Sequence, residues 1–437
     1  MAGYEITRLC VVLAAAACAT TATHLEPPSP AGANLARDAW RRAAASERAG
    51  LADSVWADVK RAQAAWPAQP AYSQALARLA ARRGDDSVLH RALGTLAAQE
   101  AGGGAARDSA VQAAAVRTTA GAAAFAELQR RLAPDERSRP RVLSTDTTFF
   151  PEGMDVDPRT GDIYVTSLRH RMVYAVSPAG AITPALRGDS ANIAAPFGVA
   201  LDASRDVLWI TTAGVAHMSG YAPTDSARAE LVRVRRADGM ITGRWALGSG
   251  TGMPGELALS PRGHVLVSDA VLSRLYRLRA DTGDIEVVEH PLLRSPQGIA
   301  VDARGRVAWV ADWSLGLLRW DLDTDSLVQV ATPDDVTLVG IDGLRRAGDR
   351  LIGVQNGIAP PRVVEIVLDE SGSAVRTVRT LDRPPQLEGE PTVGAVYDDR
   401  YLYVASSAWP FWTDDGQRRE GTGPLPPVVV RELRLAR

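Results

Sequence analysis

The stretch Phe150–Ser167, FPEGMDVDPRTGDIYVTS, reads as two short strands around a turn. Apolar and polar residues alternate in GMDVD and IYVTS, and the intervening PRTGD carries the Pro, Gly and Asp of a tight reversal. Its outline returns as PFGVALDASRDVLWITT (196–212), PGELALSPRGHVLVSD (254–269) and PQGIAVDARGRVAWVAD (296–312). Two more divergent copies are IDGLRRAGDRLIGVQNG (341–357) and GEPTVGAVYDDRYLYVAS (389–406). The spacing is roughly 42 to 58 residues, the length of a propeller blade. A third strand follows each pair, as in RLYRLRA, GLLRWDL or RVVEIVL, and then a more variable outer one. Six copies predict an all-β six-bladed propeller over residues 140–437. PRVLSTD (140–146) can serve as the outer strand beside VVVRELRL (428–435), a closure that removes an exposed sheet edge. A doubly wound α/β fold is excluded because no helical segments separate these strands, and a sandwich would not call for six equal units.

Residues 33–135 have a different period. AYSQALARLAARRGDD places Tyr72, Ala75, Leu76, Leu79 and Ala80 on one helical face, Gly84 stops that helix, and Asp85, Asp86 and Ser87 offer caps for SVLHRALGTLAAQ. The expectation is a small all-α helical-hairpin domain in front of the propeller. One unit, about Trp66 to Gln99, resembles a tetratricopeptide repeat, but peptide-binding arrays stack three or more. A cap packed on the propeller is the simpler reading, with a protein partner for this domain as the other.

At the N-terminus, Arg8 precedes an apolar run of about eleven residues, LCVVLAAAACA, and a Pro-rich polar stretch follows. This is the layout of an export signal over residues 1–20 with a linker over 21–32. AAAC (15–18) resembles a bacterial lipoprotein cleavage box, which would make Cys18 a lipidated membrane tether. The location expected is therefore a periplasmic or outer-membrane lipoprotein, or a secreted protein; the mass of the mature N-terminus distinguishes them. Cys10 and Cys18 are the two cysteines, so the propeller has no thiol chemistry and no thiolate zinc site. Lys plus Arg number 49 and Asp plus Glu 51, a net charge of −2 that gives no reason to expect nucleic acid.

The first strand of each blade lines the central channel, and the residue after its opening proline is one ring position per blade. Read around the ring, that position is Glu152, Phe197, Gly255 with Glu256 beside it, Gln297, Asp342 and Glu390. Oxygen donors without His or Cys favour a hard cation: Ca²⁺ first, Mg²⁺ or Mn²⁺ next. The candidate metal ligands are Glu152, Glu256, Gln297, Asp342 and Glu390. Asp342 or Glu152 is the candidate to steady or deprotonate a water. His170 and His217 lie in loops after second strands, where a substrate mouth could be. Trp313, Trp409, Phe411 and Trp412 could wall an apolar substrate or simply pack between blades.

These residues carry a family resemblance. FPEGMDVDP, PGELALSP, PQGIAVD, GIDGL and EPTVGAV make residues 140–437 similar to the senescence marker protein, gluconolactonase and luciferin-regenerating enzyme group of six-bladed propellers. The resemblance implies a divalent metal on the axis and hydrolysis of a lactone or related ester. Glu152 matches that group's first-blade glutamate and Asp342 an acidic ring position. Gly255-Glu256 and Gln297 depart from its asparagine-containing motifs. A metal-dependent hydrolase of a small-molecule lactone or ester is thus the leading expectation. The alternative is a non-catalytic binding propeller at the cell surface, similar to NHL-repeat proteins.

Overall fold

The computed structural model describes residues 31–187, 192–248 and 251–436. The expected export signal, Cys18 and nearly all of the linker lie outside the described residues. Helices occupy Ala31–Arg48, Ala52–Ala65, Pro70–Arg83, Asp86–Ala98, Gly103–Ala106, Ser109–Ala115 and Thr119–Arg131. Gly84 closes the Pro70–Arg83 helix at φ +73°, a left-handed cap that only glycine adopts without cost. The Asp85 side chain then accepts the Val88 N–H at 3.0 Å and starts the next helix. Leu89, Leu93, Leu96 and Leu128 are fully buried and form one core for these helices.

From Arg139 to Arg434 the chain forms six four-stranded antiparallel sheets, the blades of a propeller. Their inner strands are β2 (Pro151–Val156), β6 (Ala195–Asp202), β10 (Pro254–Leu259), β14 (Pro296–Val301), β18 (Ile341–Ala347) and β22 (Gly394–Tyr397). Among the described residues, six apolar clusters each draw on two adjacent blades. Leu266 and Leu275 of blade 3, for example, meet Ile299, Val310, Leu318 and Trp320 of blade 4. Burial between blades, and not within one, therefore holds the ring together. The expected closure is present: β1 (Arg139–Ser144) pairs antiparallel with β24 (Val428–Arg434), so the last blade is built from both ends of the propeller segment.

The helices sit against blade 5, whose outer strands are β19 (Arg350–Gln355), β20 (Arg362–Leu368) and β21 (Val375–Asp382). Gly103 N–H donates to the Ala359 carbonyl at 2.7 Å, and the Gln99 amide donates to the Asp334 carbonyl at 2.9 Å. Asp135 and Arg383 exchange backbone hydrogen bonds at 2.9 Å. Asp334 precedes the first strand of its blade and Ala359 follows the second. Both connections lie at the end of the propeller where the ring residues open, so the helical region is seated on the face that carries the channel mouth. It is a cap, as the simpler sequence reading has it.

Candidate functional site

The Pro-x-Gly repeat has a structural cause. In five inner strands the register slips by one residue at this point: Pro151 faces Ser167 while Met154 faces Val165, and equivalent slips follow Pro196, Pro254, Pro296 and Ile341. Each slip is a β-bulge, which turns the side chain of its first residue out of the pleat toward the axis. The second residue is packed against the next blade. A Cβ on Gly343 would fall 2.6 Å from Val393 Cα, and one on Gly298 would fall 2.5 Å from the Asp342 carbonyl oxygen. Second-strand threonines secure the ring. Thr166 Oγ1 accepts from Gly153 N–H at 2.7 Å and donates to the Phe197 carbonyl at 3.1 Å, joining blades 1 and 2.

Three acids meet at the mouth. Glu152 Oε2 accepts from Ser407 Oγ and from the Trp409 indole N–H, both at 2.8 Å. Burial, with Glu390 and Glu256 nearby, pushes its carboxyl up to about 8 in spite of those two donors. Burial also holds Asp342 well above the usual carboxylate range, and Glu152, Glu390 and Glu256 add to the effect. Asn356, just after β19, bridges Asp342 and Glu390: its Nδ2 donates to Asp342 Oδ2 at 2.9 Å, to Glu390 Oε1 at 3.3 Å and to the Pro391 carbonyl at 2.8 Å. Its Oδ1 is buried with no protein partner. Both shifts favour the neutral acid at Glu152 and Asp342, so proton donors stand near the third carboxyl, Glu390.

The other expected ligands face elsewhere. Blade 3 reads Pro-Gly-Glu, so Glu256 takes the place that glycine fills in blades 1, 2, 4 and 5. Its carboxylate forms a buried ion pair with Arg345 of β18. Asp155, held by the N–H groups of Leu201 at 2.8 Å and Val156 at 2.9 Å, lies close enough for the same guanidinium to act on it. The Gln297 amide turns to Ser295 Oγ at 3.5 Å. The structure thus gathers Glu152, Asp342 and Glu390, and directs Glu256 and Gln297 to other partners. The donor chemistry, carboxylates with an orphaned amide oxygen, fits a hard divalent cation. Among the described residues, no three of His, Cys, Asp and Glu are placed closely enough to enclose one.

An aromatic group stands against Glu152 at the mouth. Phe197, the ring residue of blade 2, stacks on Trp409 at 6.4 Å, and Phe150 meets Trp409 edge-on at 5.0 Å. Trp412 lies under the guanidinium groups of Arg169 and Arg418, Arg418 also lies over Phe411, and Trp313 packs against Gly357. His217 is buried among Phe150, Trp409 and Trp412 and bonds the Thr413 carbonyl through Nε2 at 3.0 Å; burial lowers its pKa. His170 bonds Tyr174 and Thr148. Neither histidine bonds a ring acid. Sequence reading missed Asn356, Ser407 and Arg345 as members of the site. Asn356 and Ser407 follow second strands, which return to the same mouth, and that position was the available signal.

No family model and no curated protein sequence matches the chain. Among solved structures, it is similar to a virginiamycin B lyase from Staphylococcus aureus at 15% identity and TM-score 0.47, covering 69% of this chain and 99% of that one. It is similar to a gluconolactonase from Xanthomonas campestris at 14% and 0.45, covering 68% and 89%. It is also similar to a calcium-binding protein, regucalcin, from Agrobacterium tumefaciens at 16% and 0.47, covering 69% and 95%.

Proposed function

We propose that the axial mouth is a hydrolytic centre for a lactone or ester. The observation that supports it is the meeting of Glu152, Asp342 and Glu390, from three different blades, with two of the carboxyls held above their ordinary range. An ionised member of the group takes the proton of an attacking water, and a protonated member gives one to the departing alkoxide. Hydrolysis of a lactone then ends in a hydroxyl and a carboxylate on one molecule. Ser407 and Trp409 both bond Oε2 of Glu152, which orients the carboxyl and leaves Oε1 to carry the proton that the departing alkoxide takes. Asn356 keeps Asp342 and Glu390 together, and Phe197 with Trp409 offers an apolar wall to the acyl or alkyl part of the substrate. A divalent cation, calcium first, would polarise the substrate carbonyl; Asp342 and Glu390, which Asn356 joins, are the carboxylates that would hold it.

The test is a panel of lactones and aryl esters offered to the full chain with calcium, magnesium or manganese. Turnover is expected, with Glu152→Gln and Asp342→Asn each slowing it about 10²–10⁴-fold. Absence of turnover across the panel with every metal would end this reading. The second reading, a binding propeller, draws on Phe197 and Gly255, ring positions without a reactive group. Its mark is a ligand retained unchanged in the presence of a chelator.

A further inference from the structure

Glu100 follows the Asp86–Ala98 helix and has φ +53°, a backbone region that costs a non-glycine residue on the order of 1 kcal/mol or more. Helices commonly end on glycine there, and glycine would adopt it freely. What glutamate adds is its carboxylate. Oε2 accepts from Thr380 Oγ1 at 2.7 Å, from Arg362 Nη1 at 3.0 Å and from Arg383 Nη2. Both arginine side chains are only 4% exposed, so this acid from the helical region is the anion that neutralises two cations buried in blade 5.

The contact continues inward. Arg362 Nε donates to Gln355 Oε1 at 2.8 Å. Gln355 is fully buried, and its Nε2 donates to the carbonyls of Thr337 at 3.1 Å and Val339 at 2.8 Å. That segment leads directly into Asp342. The residue after Gln355 is Asn356, whose amide holds Asp342 and Glu390. Gly357 N–H donates to the Gly340 carbonyl at 3.0 Å and ties the two segments together again. Polar contacts therefore run from a helix end to Gln355 and the carbonyls of Thr337 and Val339, and the backbone carries on from there to Asp342 and Asn356.

We propose that Glu100 is a positioning residue for the axial site, acting through Arg362 and Gln355 on the two segments that carry Asp342 and Asn356. The inference rests on the mouth being the functional site, as proposed above. It makes the helical region a working part of that site and not a separable adaptor.

Two substitutions in the full chain test it. Glu100→Gln keeps the size of the side chain and removes the charge. Gln355→Met removes the relay, changes no charge and leaves Glu100 on its arginines, so it serves if Glu100→Gln fails to fold. Hydrogen exchange is followed by mass spectrometry, and calcium alone is titrated calorimetrically. In either variant, peptides spanning 337–343 and 354–358 are expected to exchange roughly tenfold faster, the loss of about one hydrogen bond's worth of protection, while peptides of blades 1 and 2 are unchanged. Calcium affinity is expected to fall by about the same factor, and the double variant to be no weaker than the worse single one, since both act along one path. Uniformly faster exchange over the whole propeller, or unchanged exchange at both segments, would overturn the proposal. Unaltered calcium affinity in a variant whose segments have loosened would overturn it too. Should the parent chain bind no calcium, the metal falls out of the proposed function, while the exchange measurement still decides the role of Glu100.

Discussion

Glu152 shows what the site demands of a single residue. Its folded-state pKa of about 8 lies above its ordinary 4.5, so across that window the native chain holds a proton that the unfolded chain has released. The group therefore subtracts stability progressively as pH rises from about 4.5 to 8, and the whole deficit is present above 8. Glu152→Gln should be more stable than the parent by several kcal/mol at pH 9 and by less than about 1 kcal/mol at pH 5. Denaturant unfolding at the two pH values checks this; an equal gain at both would show that ionisation of Glu152 is not the source. Glu152 and Asp342 were legible in the sequence because each fills the first place of a repeated bulge motif. Glu256 was not, since Pro-Gly-Glu offers two neighbouring candidates for one ring place. Its actual partner, Arg345, lies 89 residues away in a blade that is not adjacent, where no local period points to it.

At the scale of the strand, the bulge explains both what repeats and what varies. Its first residue is free to change because it faces the channel, and its second is confined by the neighbouring blade. Gly343→Ala should cost about 1–3 kcal/mol, because the added methyl meets the backbone of Val393 at 2.6 Å and backbone cannot step aside as a flexible side chain does. Gly255→Ala should lie within about 0.5 kcal/mol of the parent, since nothing stands within 4 Å of its new methyl. Thermal or denaturant unfolding of the two variants makes the comparison, and similar costs would remove the bulge as the cause of the motif. Strand order and blade number could be read from the sequence because hydrophobic alternation and turn residues are local. The reach of Ser407 and Trp409 back to Glu152 was legible only as a place after a second strand, at the mouth, and not as a contact. It depends on a loop after the second strand of blade 6, and no repeated motif marks that loop.

For the whole molecule, the decisive contact is the one between β1 and β24. Without β24, both β1 and β23 (Arg400–Val404) would present open edges, and the fully buried Val430 would be missing from the core shared by blades 6 and 1. A chain ending at Pro427 should elute as aggregate on size-exclusion chromatography and be cut rapidly in limited proteolysis; a monodisperse, protease-resistant product would show that five blades and a remnant suffice. The seating of the helices on blade 5 was less legible than this closure, because Glu100, Arg362 and Arg383 carry no mark in the sequence that they will meet. The seam also sets a timetable. During synthesis β24 emerges about 284 residues after β1 ends, which at the ordinary pace of roughly 5–20 residues per second is on the order of 15–60 s. For all of that time β1 is a strand without a mate, exposed to whatever chaperone or translocation machinery handles the nascent polypeptide, and locking the ring is among the last steps the folding chain completes.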